Sequence, residues 1–347
     1  MTGPRPHRGL EPLDGVLRRL GLEGLAEAPF PNDGWSGATL TLVERGGERF
    51  VIKRLPPGGG WIGEATRDGP TPREAWFAAA GPPLPQGVVA PYLGAGMDSD
   101  GSTALVMPDL SATLLPWDRP IGRDVLDRVL VALATLHGAT DIAGGMKSGA
   151  SWSCPLRERV TLISRRSLER PGPARDAVGD RILPGWDAWD RRATPAAREL
   201  IASLDSDPAP LVEALASLPS TLIHGDLKLA NVGVRRDGAI ELVDWQMVMV
   251  GPIAVELGWL LVSNVAALPL DPDAVLDRYR EARRSDGGVA GEWQRQVDLA
   301  WIVGLLLRGW RKGLDAEAGL SLASGTSAAD DLAVWCDRAV EAGRRIL

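Results

Sequence analysis

The sequence predicts an α+β protein of two lobes, because strand patterns dominate the front of the chain and helix patterns dominate the rear. Residues 39–44 and 48–55 are apolar, β-compatible runs, and Gly46 and Gly47 between them suit a two-residue hairpin turn. From Asp124 onward, apolar residues recur at three- and four-residue intervals, which is the period of an amphipathic helix.

The two lobes are expected to meet near residue 107. Residues 1–107 would form a small sheet with one helix, and residues 108–347 would form a mainly helical lobe. In the front lobe, Thr71 would cap a helix with Pro72 in its first position, and Glu74 would complete a capping box. Further predicted elements are a strand at 103–107, a Gly/Ser-rich loop at 139–155, an irregular segment at 170–185, helices at 196–204, 211–218, 292–312 and 328–346, and a strand at 240–243.

Composition and charge indicate an ordinary globular protein. Hydrophobic residues make up 45% of the 347 and charged residues 24%, a balance that allows two cores. The net charge of −7 disfavours non-specific binding to nucleic acid. Cys154 and Cys336 lack metal-type spacing and are expected to be free thiols in a reducing compartment. Because we find no secretory signal and no bilayer-length apolar run, we expect a cytoplasmic protein without nucleic-acid or membrane partners.

One segment carries most of the chemical information. Residues 224–231 read His-Gly-Asp-Leu-Lys-Leu-Ala-Asn, and Asp244 follows the predicted strand downstream. Phosphoryl transfer needs a carboxylate that orients the attacking hydroxyl group and accepts its proton, together with oxygen ligands for Mg²⁺. Asp226, Asn231 and Asp244 supply these groups in that order. Each residue alone would also fit a surface turn, but the three together favour the catalytic interpretation.

The same residues resemble a known family. The pattern H-x-D-x-x-x-x-N matches a kinase catalytic loop, and His-Gly-Asp with Asp-Trp downstream is similar to the aminoglycoside phosphotransferase and choline kinase family. The resemblance implies a bilobal protein-kinase-like fold, Mg²⁺, and ATP or GTP as the co-substrate. It implies that Asp226 is the catalytic base and that Asn231 and Asp244 are the metal ligands. It gives His224 the role of bracing the loop.

Three further charged residues match the family at weaker motifs. Lys53, on a predicted strand, would grip the α- and β-phosphates, although an exposed strand lysine is the alternative. Glu74 would orient that lysine, with Glu64 as the substitute if Glu74 serves only the capping box. Lys228 would lie near the γ-phosphate or else face solvent.

Four other positions extend the resemblance. Ser36, within the segment 34–37, would lie on a phosphate-covering loop or an ordinary turn. Met107 would mark the lobe connection whose backbone bonds the purine, or it would be a core residue. Glu256 stands where the family usually has an aspartate that braces the catalytic loop, and His137 is expected to pack at a helix end.

The predicted function is transfer of the γ-phosphoryl group of ATP or GTP to a hydroxyl group of an antibiotic or related metabolite. The alternatives are a sugar- or choline-type kinase and a non-catalytic nucleotide-binding pseudokinase, which the presence of every catalytic group disfavours. A protein kinase is disfavoured because Asp-Trp-Gln replaces Asp-Phe-Gly and little room remains for an activation segment.

Arg308, Arg311 and Lys312 lie in a stretch with few acids and favour a neutral or weakly cationic acceptor. The 13 tryptophans are expected mainly in the core, with a minority along the acceptor cleft.

Overall fold

A computed structural model describes residues 10–32, 34–139, 152–285 and 292–347 of the chain. The strands are β1 (Glu11–Pro12), β2 (Glu27–Pro29), β3 (Thr39–Arg45), β4 (Glu48–Leu55), β5 (Val88–Val89), β6 (Gly94–Met97), β7 (Thr103–Pro108), β8 (Thr221–Ile223), β9 (Val232–Val234), β10 (Ile240–Leu242) and β11 (Met249–Gly251). The helices are α1 (Leu13–Arg19), α2 (Gly60–Ala65), α3 (Arg73–Ala80), α4 (Arg123–Gly138), α5 (Leu156–Thr161), α6 (Arg165–Glu169), α7 (Asp180–Arg192), α8 (Pro195–Ser206), α9 (Ala209–Ala216), α10 (Ile253–Ser263), α11 (Pro272–Ser285), α12 (Trp293–Glu317) and α13 (Ala328–Ile346).

The front part of the chain forms a six-stranded sheet in the order β1-β6-β7-β4-β3-β2. The hairpin β3–β4 forms where the sequence predicts it, and its turn glycines Gly46 and Gly47 have φ angles of 57° and 87°. Glycine adopts such left-handed angles without a steric penalty. Lys53 pairs in register with Leu40 on β3 and with Leu105 on β7, so it lies on a central strand.

Successive side chains of β4 point to opposite faces of the sheet, so only every second one faces the space between the lobes. Phe50 and Ile52 share one face of the strand and pack with Leu13 of α1. Val51 lies on the opposite face, in the cluster that contains residues of α3 and β7. Lys53 follows Val51 at the two-residue period and therefore points to the same side.

The rear part is built around the long helix α12, which packs against α7, α10 and α13. Gly313 lets α7 approach closely, because a Cβ atom there would lie 2.5 Å from the backbone nitrogen of Trp189. The helix is interrupted at Arg308, whose φ of −137° and ψ of 19° are not helical. Most of the tryptophans expected in the core are buried there: Trp152, Trp186, Trp189, Trp245, Trp259, Trp293, Trp301, Trp310 and Trp335.

Two small sheets connect the rear lobe to the catalytic segment. Strands β9 and β10 form an antiparallel hairpin to which β5 adds in parallel. Strands β8 and β11 pair with each other, with Ile223 opposite Met249. These pairings bring the segment after β8 beside the segment after β10, which are the two segments that carry the predicted catalytic groups.

Several sequence predictions are wrong in detail. The front part holds three helices, α1 to α3, instead of one. The capping box does not form: Pro72 occupies the cap position, and the amide of Arg73 donates to the carboxylate of Asp68 at 3.0 Å. Glu74 is turned toward Lys53 instead. For Glu74, the ion pair with Lys53 thus outweighs the local capping pattern.

The segment 170–185, predicted as irregular, contains a π-helical turn, Arg175–Gly179, and the start of α7. Its high proline and glycine content conceals a helical repeat, because Ile182, Trp186 and Trp189 are all buried along one side of α7. Burial of this apolar face outweighs the unfavourable propensity of Pro184. Most of the predicted loop at 139–155 lies outside the described residues.

Three predictions concern the lobe boundary, the cysteines and membrane-spanning helices. The lobe boundary at 107/108 stays a prediction, and β7 ends beside it at Pro108. Cys154 and Cys336 are both buried and free. Across the described ranges, no helix combines the length and the apolar character needed to cross a membrane.

Candidate active site

A cleft of about 720 Å³ lies between the front sheet and the rear helices. It gathers residues from both lobes, which is where ligands of α+β proteins are commonly found. All eight residues that the sequence predicts for the site line this cleft: Ser36, Lys53, Glu74, Met107, Asp226, Lys228, Asn231 and Asp244. Their individual roles stay predictions, but the structure brings them together.

The loop that follows β8 is held tightly against the segment after Asp244. Gly225 has a φ of 80°, and a Cβ atom there would lie 2.0 Å from the carbonyl oxygen of Met247. Only glycine fits this approach. The Nε2–H group of His224 donates to the carbonyl of Val243 at 2.8 Å, which ties the loop to the end of β10. The Nδ1 atom of His224 accepts from the amide of Asp226 at 3.3 Å, so both ring nitrogens brace the loop.

Glu256, on α10, holds the same loop through hydrogen bonds to its backbone amides. Its two carboxylate oxygens accept from the amides of His224 and Gly225, at 2.7 and 2.9 Å. His137 lies 3.4 Å from the carboxylate on the other side and contacts the hydroxyl of Tyr279. Burial opposes ionisation of Glu256, but the hydrogen bonds and charges of the histidines outweigh it and lower its pKa. The glutamate thus makes the two loop contacts expected of the shorter aspartate.

Asn231 and Asp244 are adjacent across the β9–β10 hairpin. The amide of Val243 donates to the carbonyl of Asn231 at 3.0 Å. The Nδ2 group of Asn231 donates to the carbonyl of Asp226 at 2.9 Å, and Asn231 lines the cleft. Asp244 adopts a left-handed conformation, with φ 66° and ψ 56°. Such a conformation costs a non-glycine residue about 1–3 kcal/mol and is typical of functional sites.

Lys53 joins the two lobes through a buried ion-pair network. Its Nζ atom lies 2.7 Å from Glu74 Oε2 and 2.8 Å from Asp244 Oδ1. The Tyr92 hydroxyl donates to Glu74 Oε1 at 2.8 Å and accepts from the amide of Asp244 at 3.0 Å. Burial opposes the charge on Lys53, but the carboxylates of Asp244 and Glu74 outweigh it and raise its pKa. Of the two predictions for Glu74, the structure shows the ion pair.

These residues fit a divalent metal ion. Asp244 has a lowered pKa, because the charge of Lys53 outweighs the effect of burial, so its carboxylate is ionised. The Asp244 side chain is 29% exposed and lines the cleft, so a cation can reach its carboxylate, whereas Glu74 is fully buried and burial raises its pKa. The carboxylate of Asp244 and the amide oxygen of Asn231 are ligands that Mg²⁺ accepts, with phosphates and waters completing its shell. Within the described ranges, no cluster of three or more Asp, Glu, His or Cys side chains could hold a metal ion.

The remaining predicted residues lie around this centre. Lys228 Nζ is 3.0 Å from Asp226 Oδ2. The hydroxyl of Ser36 accepts from the amide of Ala38 at 3.4 Å on the loop above the cleft. In the same loop, the ring of Trp35 lies 6.4 Å from that of Trp310 in the rear lobe, so the loop reaches across the cleft.

Met107 forms part of an apolar slot at the front of the cleft. It is buried in one cluster with Val51, and Leu40 and Val243 pack against that cluster. All four side chains line the cleft. These residues lie on β3, β4 and β7 and just after β10, so both lobes contribute walls to the slot.

The site also contains two groups that the sequence does not predict. Tyr92 bridges Glu74 and Asp244, and the Nε group of Arg159 donates to the carbonyl of Gly225 at 2.6 Å. Neither lies in a local motif, so no signal in the chain marks them. Of the basic residues expected near the acceptor, Arg308 and Arg311 line the cleft. Lys312 does not, because it is buried against Asp331.

The fold of this chain is similar to that of a solved choline kinase. The choline kinase of Streptococcus pneumoniae is 14% identical and has a TM-score of 0.50, with 96% of this chain and 97% of that chain covered. The type VIII aminoglycoside 3′-phosphotransferase is 22% identical with a TM-score of 0.45, and 86% of this chain and 98% of that chain are covered. A spectinomycin phosphotransferase in complex with ADP and spectinomycin is 11% identical with a TM-score of 0.45, covering 95% of this chain and 93% of that one. The bilobal kinase-like fold predicted from the sequence is confirmed.

The family comparison covers most of the molecule. No curated protein sequence matches the chain. Residues 27–296 match the phosphotransferase enzyme family, and this range contains all eight site residues that the sequence predicts. The chain therefore belongs to the phosphotransferase enzyme family and is an enzyme that transfers a phosphoryl group to a hydroxyl acceptor.

Proposed function

We propose that this enzyme transfers the γ-phosphoryl group of ATP or GTP to a hydroxyl group of an antibiotic or related small metabolite. One observation carries the proposal: Lys53, Asp226, Asn231 and Asp244 converge in a single cleft between the lobes. Separate segments supply these groups, and each matches a requirement of phosphoryl transfer. A chance grouping of polar residues on the protein surface would not explain why Lys53 is buried between two carboxylates.

The front of the cleft suits a purine nucleotide. The apolar slot of Leu40, Val51, Met107 and Val243 offers flat walls to a base. The loop that carries Ser36 lies above the position expected for the phosphates. Lys53 would exchange part of its contact with Asp244 for the α- and β-phosphates, while Glu74 keeps it in place.

The chemical step needs a hydroxyl acceptor beside Asp226. Its oxygen attacks the γ-phosphorus, the bond from phosphorus to the β–γ bridging oxygen breaks, and the electron pair leaves with the nucleoside diphosphate. The hydroxyl proton passes to the Asp226 carboxylate, which contributes about 10²–10⁴-fold to the rate. Lys228, 3.0 Å from Asp226, would hold the transferred group. Mg²⁺ bound at Asn231 and Asp244 would supply neutralisation of the phosphate charge.

The decisive variant is Asp226→Asn, which keeps the shape of the side chain and removes the base. We expect turnover to fall about 10²–10⁴-fold while the Kd for nucleotide is unchanged. Nucleotide consumption with a panel of hydroxylated antibiotics and metabolites measures the first, and isothermal titration measures the second. Asp237→Asn is the matched control, because Asp237 lies in the exposed turn between β9 and β10. Unchanged turnover in Asp226→Asn would remove Asp226 as the base.

The setting we propose is cytoplasmic, where nucleotides are abundant. The two buried free thiols support a reducing compartment. If the acceptor is an antibiotic, phosphorylation would add a bulky dianion to it, and expression of the enzyme in a sensitive host should raise the inhibitory concentration of that compound. The Asp226→Asn variant should not.

A further inference from the structure

Arg308 is a charged side chain in the cleft that lacks a partner. The break in α12 at this residue turns it out of the helical path and into the cleft wall. Throughout the described part of the chain, no residue forms a hydrogen bond or an ion pair with its guanidinium group, and its Nε atom is buried without an acceptor. An unpaired cation in a half-buried position is costly, so a group that binds from outside the chain would stabilise it.

The surroundings of Arg308 are positively charged. Trp259 has three cations around its ring: Arg159 at 4.7 Å, Arg308 at 5.7 Å and Lys228 at 5.9 Å from the ring centroid. Arg159 is committed to the carbonyl of Gly225, and Lys228 to Asp226. Burial and the neighbouring Arg311 lower the pKa of Arg308 to about 10, which still leaves it charged at neutral pH.

The carboxylates of the cleft do not balance this charge. Four carboxylates belong to described residues that line the cleft, and each already faces a cation. Glu74 and Asp244 share Lys53, Asp226 faces Lys228, and Asp109 faces Arg49. The charges of Asp315 and Asp226 attract Arg308, but neither carboxylate forms an ion pair with it, because Asp315 is paired with Arg311 and Asp226 with Lys228. Among the described residues, no carboxylate that lines the cleft is left unpaired to receive a polycationic acceptor.

Two tryptophan rings border the guanidinium group of Arg308. Its guanidinium lies 5.4 Å from the ring of Trp310 and 5.7 Å from that of Trp259, so aromatic faces hold it on two sides. The indole nitrogens of Trp259 and Trp310 are buried and have no acceptor within the described residues. A guanidinium fixed in this way is preorganised for the two oxygens of a carboxylate or phosphate group.

We infer that Arg308 binds an anionic group, a carboxylate or a phosphate ester, on the acceptor, so that the substrate is a hydroxylated anion. The inference rests on the proposed function, because it takes the region around Asp226 as the acceptor site. It identifies the substrate class by charge and moves beyond the neutral or weakly cationic acceptor that the basic residues of α12 suggested.

The first test measures anion binding without turnover. The nucleotide position is filled with a non-hydrolysable ATP analogue, and ligand-observed NMR follows inorganic phosphate and acetate as separate probes. Loss of one charged hydrogen-bonding partner should weaken binding about 10- to 100-fold in Arg308→Met. Whichever probe shows the larger loss identifies the chemistry of the anion. Equal affinity in wild type and Arg308→Met would overturn the inference.

Two further variants keep this measurement interpretable. Arg280→Met is the matched control, because Arg280 also has a buried, unpaired Nε atom and lies 5.7 Å from a tryptophan ring, that of Trp293. It does not line the cleft and should leave anion binding unchanged. Arg308→Lys keeps the charge and loses the planar fork, so it should bind the anion with intermediate affinity even if Arg308→Met folds poorly.

The second test uses matched acceptors that differ in one group. A hydroxy acid is compared with its amide, a sugar phosphate with the free sugar, and an aminoglycoside serves as the polycation. The anionic member of each pair should be the better acceptor, and Arg308→Met should raise its KM about 10- to 100-fold without changing the neutral member. Asp226-dependent phosphorylation of neutral or cationic acceptors, indifferent to Arg308, would overturn the inference and leave the proposed function standing. Phosphorylation that does not depend on Asp226 would overturn the proposed function instead.

Discussion

Gly225→Ala is the sharpest test of how the catalytic loop is held. A Cβ atom at this position would lie 2.0 Å from the carbonyl oxygen of Met247, whereas real Cβ atoms essentially never approach within 3.0 Å. The contact is with backbone, so no side-chain rotation relieves it. The loop must therefore move by about 1 Å, and Asp226 follows Gly225 directly in the chain.

The size of the effect follows from this displacement. A misplacement of about 1 Å can cost about 10²-fold in rate, which corresponds to about 2.7 kcal/mol in the activation barrier. The left-handed φ of 80° adds roughly 1 kcal/mol of strain to the folded state for alanine. Overpacking against Met247 adds about 1–3 kcal/mol more. We expect Gly225→Ala to fold with a lower free energy of unfolding and to lose about 10²-fold in turnover.

Gly238→Ala separates strain from the close contact. Gly238 has a φ of 88° in the exposed turn between β9 and β10, with nothing within 4 Å of an added Cβ atom. The control should lose about 1 kcal/mol of stability and keep its turnover. Urea unfolding and turnover per folded molecule are measured for both variants. If Gly225→Ala matches Gly238→Ala in turnover, the contact with Met247 does not position Asp226.

Two further outcomes follow from buried groups. Glu256→Gln should lose about 1–3 kcal/mol, because an NH₂ group then faces a loop amide. Since folding lowers the pKa of Glu256, its contribution is present above about pH 4.3 and is lost as pH falls through the lower folded-state value. Urea midpoints measured across acidic pH should therefore show a shallower acid loss in the variant, and an identical pH dependence would contradict the assignment. Burial raises the pKa of Cys154 to about 11 and also raises that of Cys336, so neither thiol should react with a disulfide reagent at mildly alkaline pH until guanidinium chloride unfolds the protein. Rapid labelling of the native enzyme would show that the thiols are accessible.

Sequence predictions succeed where a single stretch of the chain determines its own local structure. The hairpin at Gly46 and Gly47 forms as predicted because the turn conformation is a property of those two residues. The loop from His224 to Asn231 is recognisable because its spacing alone encodes the chemistry. The prediction for Glu74 had two readings, and only the position of Lys53 in space decides between them. The charge environment of Arg308 depends in the same way on residues from several helices, which no window of sequence contains.

Tyr92 shows why the centre of the site lies beyond sequence reasoning. Its hydroxyl group joins the carboxylate of Glu74 to the backbone amide of Asp244, and Lys53 joins the carboxylates of the same two residues. The four residues come from four segments that are far apart in the chain, so each bond depends on the fold being complete. Together they compensate the strained backbone of Asp244, because its amide and its carboxylate are both satisfied in the left-handed conformation. A tyrosine in a segment rich in proline and glycine carries no local mark of this role, and its position between the lobes explains why Asp244, the predicted metal ligand, is held even before a nucleotide binds.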